Sequence, residues 1–308
     1  MLGKKRLLTR SDFDGLVCAA LLKELDIIDE IRFVHPKDMQ DGRISITDSD
    51  ITTNLPYVDG VFIAFDHHIS ELSRVISPPN HIVYPNAPSA ARVVYEYYGA
   101  EERFSKIPAS LMQAVDIADS AKYTLEQIKN PTGWILLAFI MDARTGLGRF
   151  KNFRINNYEL MMKLVDLCRT QEVEEILQDP DVRERVDLYF EHQDKFIEQL
   201  KKCTTIHKTV AHINLRNEEI IYAGNRFMVY ALFPQVNISF HEIWGKNKRN
   251  VVFAAGKSIF NRTSKMNIGE FMLRYGGGGH IGAGTCQVPI ANSDKVRDEI
   301  ITAMIEDV

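Results

Sequence analysis

Three carboxylates and two imidazoles follow two apolar runs in the first quarter of the chain. Val61-Phe62-Ile63-Ala64-Phe65 leads directly into Asp66-His67-His68, and Leu7-Leu8-Thr9 leads into Arg10-Ser11-Asp12-Phe13-Asp14-Gly15. Short uncharged apolar runs read as buried strands, and open α/β sheets bind ligands outside the carboxyl ends of their strands. Asp12 and Asp14 are two apart, so in extended chain both point to one face. Carboxylate oxygen with some imidazole is the donor set of hard divalent cations such as Mn²⁺ or Mg²⁺. Gly15 permits a tight exit into a helix whose N-terminus favours anions. Adjacent His67 and His68 point to opposite sides of a regular strand, which lets one hold metal while the other faces substrate. The plainer alternative for Asp12 and Asp14 is a turn and helix cap with solvated acids.

Further residues could complete such a centre. Asp48 and Asp50 are read as ending a strand over Arg43–Ile46, ahead of Asn54-Leu55-Pro56, where either could bridge two metals. Asp116 and Asp119 are three apart, on one face of a helix with an apolar stripe. Acids in such a place cost desolvation unless paired or metal-bound. Asp119 is taken as a ligand, and Asp116 as a ligand or the support of one. Far downstream, Gly276-Gly277-Gly278-Gly279-His280-Ile281-Gly282-Ala283-Gly284 allows close backbone approach and anion-cradling N–H groups, with His280 toward a phosphate oxygen. A flexible turn is the alternative. Arg262, in Asn261-Arg262-Thr263-Ser264, offers a guanidinium fork that suits phosphate. Arg10 is kept as a further candidate beside the first acidic pair.

The elements that must position these residues alternate at first between strand and helix. Strands are expected at 7–9, 31–34, 43–46 and 61–65, with helices after Gly15 and from Ser89, a plausible cap, to Tyr98. This pattern implies βαβ units and a mostly parallel sheet. Helices follow at 111–118, 133–141, 157–167 and 181–200, and strands return at 209–213, 220–223, 236–240 and 251–255. The fold class is therefore α/β with two domains. A catalytic domain spans 1–180, a helical linker 181–202, and a smaller mixed α/β domain 203–308.

Composition agrees. The chain has 308 residues, 45% hydrophobic and 25% charged, in the range of soluble globular proteins. Residues 1–200 carry 23 Lys+Arg against 32 Asp+Glu, and residues 201–308 carry 14 against 9. An acidic first part suits a cation site and a basic second part suits anion binding. Cys18, Cys168, Cys203 and Cys286 are far apart and lack CxxC spacing, which excludes a disulfide framework and a zinc knuckle. No signal peptide follows the basic start, and no apolar run approaches the roughly 20 residues of a membrane span. A cytoplasmic protein without a membrane partner is expected.

Taken together, Ser11-Asp12-Phe13-Asp14-Gly15, Asp66-His67-His68 and Gly277-Gly278-Gly279-His280-Ile281-Gly282-Ala283-Gly284 resemble the DHH/DHHA1 phosphoesterase superfamily in type, order and separation. Within it the chain is similar to the exopolyphosphatase-related, or oligoribonuclease-like, branch. Asp50-Ile51-Thr52-Thr53-Asn54-Leu55-Pro56-Tyr57 carries that similarity and favours Asp50 over Asp48. The resemblance implies two Mn²⁺ ions, with Mg²⁺ or Co²⁺ as substitutes, on Asp12, Asp14, Asp50, His67 and Asp119. His68, supported by Asp66, matches the histidine next to the substrate phosphate. Arg262 and His280, with Gly277, Gly278 and Gly279, match the groups that hold the substrate's far end. The implied activity is hydrolysis of short single-stranded oligonucleotides or small nucleotide phosphates, by a protein that could form a homodimer. A polyphosphatase or pyrophosphatase, or a non-catalytic nucleotide sensor, are the alternatives. Many members carry a metal-binding His four residues before the first Asp, and here that position is Leu8. Asp142, in Met141-Asp142-Ala143-Arg144-Thr145-Gly146, resembles another acidic motif and is the alternative to Asp119.

Overall fold

Leu7-Leu8-Thr9 forms an inner strand of a parallel sheet. In a computed structural model that describes residues 3–68, 71–72, 78–150 and 152–307, β1 (Lys5–Arg10), β2 (Ile28–Val34), β3 (Asp50–Thr53), β4 (Ile63–Asp66) and β5 (His81–Val83) pair in the order β2-β1-β3-β4-β5. All four pairings are parallel. Such sheets are covered on both faces, and Leu7, Leu8, Ile51 and Phe65 are accordingly buried. The chain passes from β1 to β2 on one side and returns to β3 on the other. The strand order thus reverses between β1 and β3, where open α/β sheets place their ligand crevice.

Helix α1 (Phe13–Glu24) is buried along Phe13–Leu22 and packs against α2 (Ala90–Tyr97), α3 (Ala109–Ser120) and, further along, α5 (Asn157–Thr170). Between them in sequence comes α4 (Gly133–Met141), whose residues from Trp134 to Ile140 are all buried. Helix α6 (Pro180–Cys203) follows. These helices lie where the sequence places them.

One expected strand does not form. Residues 43–46 have no ladder; Ile44 and Ile46 are half-buried against Leu8, Val34, Met39 and Leu55, and Ile46 also meets Tyr57, Val61 and Ala64. The strand is β3, built from Asp50-Ile51-Thr52-Thr53 and buried throughout. Its β-branched residues suit a pleated surface, although two of them are polar.

The chain divides into two compact units, Met1–Gln127 with Pro131–Asp187, and Ile128–Asn130 with Leu188–Val308, so the division falls within α6. In the second unit β6 (Thr204–His207), β7 (Val210–Asn214), β8 (Ile238–Trp244), β9 (Val251–Lys257), β10 (Gly278–His280) and β11 (Ala283–Val288) form a mixed sheet ordered β10-β11-β9-β8-β7-β6. Only β7 and β8 run parallel among its described pairs. Phe240 and Phe253 stack at 5.1 Å in its core. Ile268 and Met272 of α7 (Ile268–Leu273) and Ile300 and Met304 of α8 (Ser293–Glu306) complete that core. The expected strand at 220–223 is absent. Side chains of α6 take its backbone groups instead: Gln199 donates to the Ile220 carbonyl at 2.8 Å and accepts from Tyr222 N–H, and His192 Nδ1 accepts from Ala223 N–H. Among the described residues no helix is long and apolar enough to cross a membrane.

Candidate functional site

The carboxyl ends of β1, β3 and β4 lie side by side, because Thr9 pairs with Thr53 and Thr53 with Phe65. The next residues on each strand therefore share one edge: Asp12 and Asp14 after β1, Asn54 after β3, and Asp66-His67-His68 at β4. Gly15 makes the turn from β1 into α1 feasible. A Cβ there would lie 1.9 Å from the Arg10 carbonyl oxygen, so the helix begins directly against the strand end.

Asp14 is held firmly. Its carboxylate accepts from Ala90 N–H at 3.1 Å and Ala91 N–H at 2.8 Å, at the start of α2, and from the Asn54 amide at 2.9 Å. A helix N-terminus suits a carboxylate in this way. That helix start is fixed in turn by Asp116, which accepts from Ser89 Oγ at 2.8 Å and from Arg92 Nε at 3.0 Å, while Ser89 caps α2. Asp116 therefore supports the centre without joining it.

Asp66 organises the triplet. Its Oδ1 accepts from the backbone N–H groups of His67 and His68 and pairs with His68 Nδ1 at 2.6 Å. Burial raises the Asp66 carboxyl, but these bonds outweigh it and hold the group below the usual carboxylate range. His67 Nδ1 lies 3.2 Å from the Ala87 carbonyl oxygen, which can only accept. In the neutral ring Nδ1 therefore carries the proton and Nε2 presents its lone pair.

That Nε2 atom is buried and 3.0 Å from Asp119 Oδ2, yet it makes no hydrogen bond of acceptable geometry. One ligand atom each from Asp14, His67 and Asp119 lies within 4.8 Å of the others. Close approach without a hydrogen bond is the arrangement of donors around a common cation, and oxygen with imidazole suits Mn²⁺. The charges agree. Burial, with Asp119 and Asp12 nearby, pushes Asp14 well above the usual carboxylate range. Burial lowers His67, but the Asp119, Asp14 and Asp66 carboxylates raise it to about 9. Asp12 lies alongside, its Oδ1 capping α1 through Gly15 N–H at 2.9 Å and its Oδ2 3.0 Å from Arg10 Nε. Burial raises Asp12 too, against the pull of Arg10.

Not every expected ligand is here. Asp50 begins β3 and so lies at the opposite edge of the sheet, paired with Arg6 at 2.7 Å and accepting from Thr47 N–H at 2.7 Å. Asp48 precedes it in an exposed turn near Lys5. The strand expected at 43–46 had placed both at the wrong end. Asp142 caps a short 3₁₀ turn and binds Arg144 through Nε at 2.7 Å, and it is Asp119 that faces His67. Two neighbours escaped the sequence reading: Asn54, whose carbonyl oxygen is buried without a hydrogen bond, and Arg144, held protonated by Asp142 and Asp12 against its burial. The β-branched run before Asn54 was the signal available for the first.

In the second unit the glycine segment is a β10–β11 hairpin, not a loop. A Cβ on Gly277 would lie 2.0 Å from the Thr285 carbonyl oxygen, and one on Gly279, at φ +156°, 2.2 Å from that of Ala283. These glycines let backbone meet backbone. His280 is exposed at the turn. Arg262 is exposed on a loop braced by Ser258, Asn261 and Thr263, and its Nε donates to the Ile259 carbonyl at 3.0 Å.

No family model and no curated protein matches the chain. Solved structures do. A pGpG-specific phosphodiesterase, PggH, from Vibrio cholerae is 55% identical over 99% of this chain and 100% of its own, with a TM-score of 0.88. RecJ from Thermus thermophilus, solved with Mn²⁺, shares the fold at 15% identity and a TM-score of 0.50, covering 98% of this chain and 52% of RecJ. CDC45 from Entamoeba histolytica does so at 8% identity and 0.55, covering 98% and 95%.

Proposed function

Because the chain belongs to the DHH/DHHA1 phosphoesterase superfamily, we propose that it is a metal-dependent phosphodiesterase that cleaves short 5′-phosphorylated oligonucleotides, dinucleotides such as pGpG foremost. The observation that carries this reading is the buried His67 Nε2, without a hydrogen bond, facing Asp14 and Asp119 at the strand-order reversal. Full-length identity of 55% to a pGpG-specific enzyme supports the substrate class.

Asp14, His67 and Asp119 would hold the cation, and their oxygen and imidazole donors suit Mn²⁺. A divalent cation held there would supply electrostatic stabilisation to a phosphoryl group and lower the pKa of water. The chain's own residues do the rest. Asp66 fixes the plane of the His68 ring through Nδ1, which turns the Nε2 edge away from Asp66 and toward a substrate phosphate. With both ring nitrogens protonated, the imidazolium in that position would donate from Nε2 to an oxygen as charge grows on it. Arg144 adds positive charge beside Asp12. In the second unit we propose Arg262 and His280 as contacts to a nucleotide phosphate, with the hairpin glycines Gly277, Gly278 and Gly279 shaping their support.

The test is one panel: pGpG, other 5′-phosphorylated dinucleotides, 3′-phosphoadenosine 5′-phosphate, cyclic nucleotides and polyphosphate, in Mn²⁺, Mg²⁺, Co²⁺ or chelator. Mononucleotide from pGpG, abolished by chelator and by His67→Ala with unchanged circular dichroism, is expected. Full turnover in chelator would refute metal dependence. Phosphate from polyphosphate with dinucleotides untouched, or tight nucleotide binding without turnover, would refute the phosphodiesterase reading.

A further inference from the structure

We propose that this centre binds a single divalent cation, at Asp14, His67 and Asp119, and that the Arg10 guanidinium supplies the positive charge that a second ion would otherwise bring to Asp12. The inference rests on reading the strand-end cluster as a cation site, and it departs from the two ions that the sequence resemblance implies.

A second ion needs anionic donors of its own, and the carboxylates nearby are largely committed elsewhere: the Asp66, His67 and His68 group is hydrogen-bonded within itself, and Asn54 Oδ1, buried without a hydrogen bond, carries no charge. Asp12 uses Oδ1 to cap α1 and Oδ2 to meet Arg10 Nε. Asp66 takes three N–H groups on Oδ1, within 3.0 Å. Asp116 is bound by Ser89 and Arg92, and Asp142 by Arg144. Asp50, the expected bridge, is at the far edge with Arg6. At the near end of the same strand stands Asn54, a neutral amide that donates to Asp14 instead of adding a charge. Leu8 is fully buried in an apolar cluster with Val34, Met39 and Leu55, so β1 offers no imidazole at that position.

Arg10 is placed to do the electrostatic part of the missing ion's work. To accept an ion, Asp12 would give up its ion pair with Arg10 and receive a dication beside a guanidinium. Arginine remains protonated at all working pH values, and with Nε on Asp12 its fork still has other N–H groups that match phosphoryl oxygens. The result is one metal and one guanidinium around the phosphate, where a dinuclear centre has two metals.

The experiment reads metal content and its magnetic signature. Full-length protein is stripped with chelator, loaded with excess Mn²⁺, desalted, and measured by elemental analysis and low-temperature electron paramagnetic resonance. Wild type and Arg10→Lys are expected to hold one Mn²⁺ per chain with the six-line spectrum of an isolated ion. Arg10→Ala and Arg10→Gln are expected to take up a second ion, and two Mn²⁺ at about 3.5–4 Å give a spin-coupled spectrum. Two coupled ions in wild type would overturn the proposal. One ion in both Arg10→Ala and Arg10→Gln, with native circular dichroism in either, would overturn the role given to Arg10. No retained ion in wild type would overturn the cation-site reading itself.

Discussion

Replacing His67 by Gln should flatten the pH dependence of stability in the metal-free protein. The Asp119 carboxylate is 3.0 Å from His67 Nε2, and the imidazolium is favoured up to about 9, against an ordinary histidine value of 6.5. A group whose folded pKa is raised stabilises the fold fully below its unfolded pKa, and that stability is lost as pH rises through the folded value. At 1.36 kcal/mol per unit, the loss between pH 6.5 and 9 amounts to about 3 kcal/mol. That is a substantial share of an ordinary domain's stability of about 5–15 kcal/mol. Urea unfolding in chelator, from pH 6 to 9.5, measures it. Wild type should lose about 3 kcal/mol more than His67→Gln across that window, because glutamine keeps the polar shape but does not titrate. Saturating Mn²⁺ should remove the difference in slope by taking the proton's place. Parallel wild-type and variant curves in chelator would refute the assignment of the proton, and with it the account of Nε2 as the cation's position.

Two substitutions separate support from ligation. Asp50→Ala, which strips Arg6 of its buried partner, should cost about 2 kcal/mol in urea unfolding and leave Mn²⁺ affinity unchanged, since the pair sits at the opposite edge. Asp116→Ala should do the reverse: it releases Ser89 and Arg92, loosens the amides that hold Asp14, and should weaken Mn²⁺ binding about 10-fold or more by calorimetry.

The centre was legible where chemistry and strand coincide in a local stretch. Asp66-His67-His68 follows an apolar run, and Asp12-Phe13-Asp14-Gly15 follows another, so both the type and the end of each strand could be read directly. The register of β3 could not. Ile44 and Ile46 present the same alternation as a half-buried strand, but they pack against buried side chains such as Leu8 and Leu55 without a ladder, whereas Thr52 and Thr53 look polar and are fully buried. That slip reversed the position of Asp50 and hid Asn54. Asp116 and Asp119 were rightly placed on one helix, but only three dimensions show that one faces His67 and the other an arginine. The extended segment 220–223 has strand-like residues, yet its hydrogen bonds go to Gln199 and His192 of a helix, a partnership that no local pattern announces.

The interlocked glycines divide the second unit's hairpin into two steric regimes. Gly277 and Gly279 of the hairpin, and Gly269 of α7 packed on it, sit where a single added carbon would strike neighbouring backbone or a neighbouring Cβ, so these three positions tolerate no side chain. At the turn the constraint vanishes: Gly282 has no atom within 4 Å of such a carbon, and Ile281 is 66% exposed. Side-chain changes are thereby accommodated at a few positions around residues 280–282, carried on a mount whose backbone is tightly packed. A hairpin so built can alter what it presents without altering where it presents it.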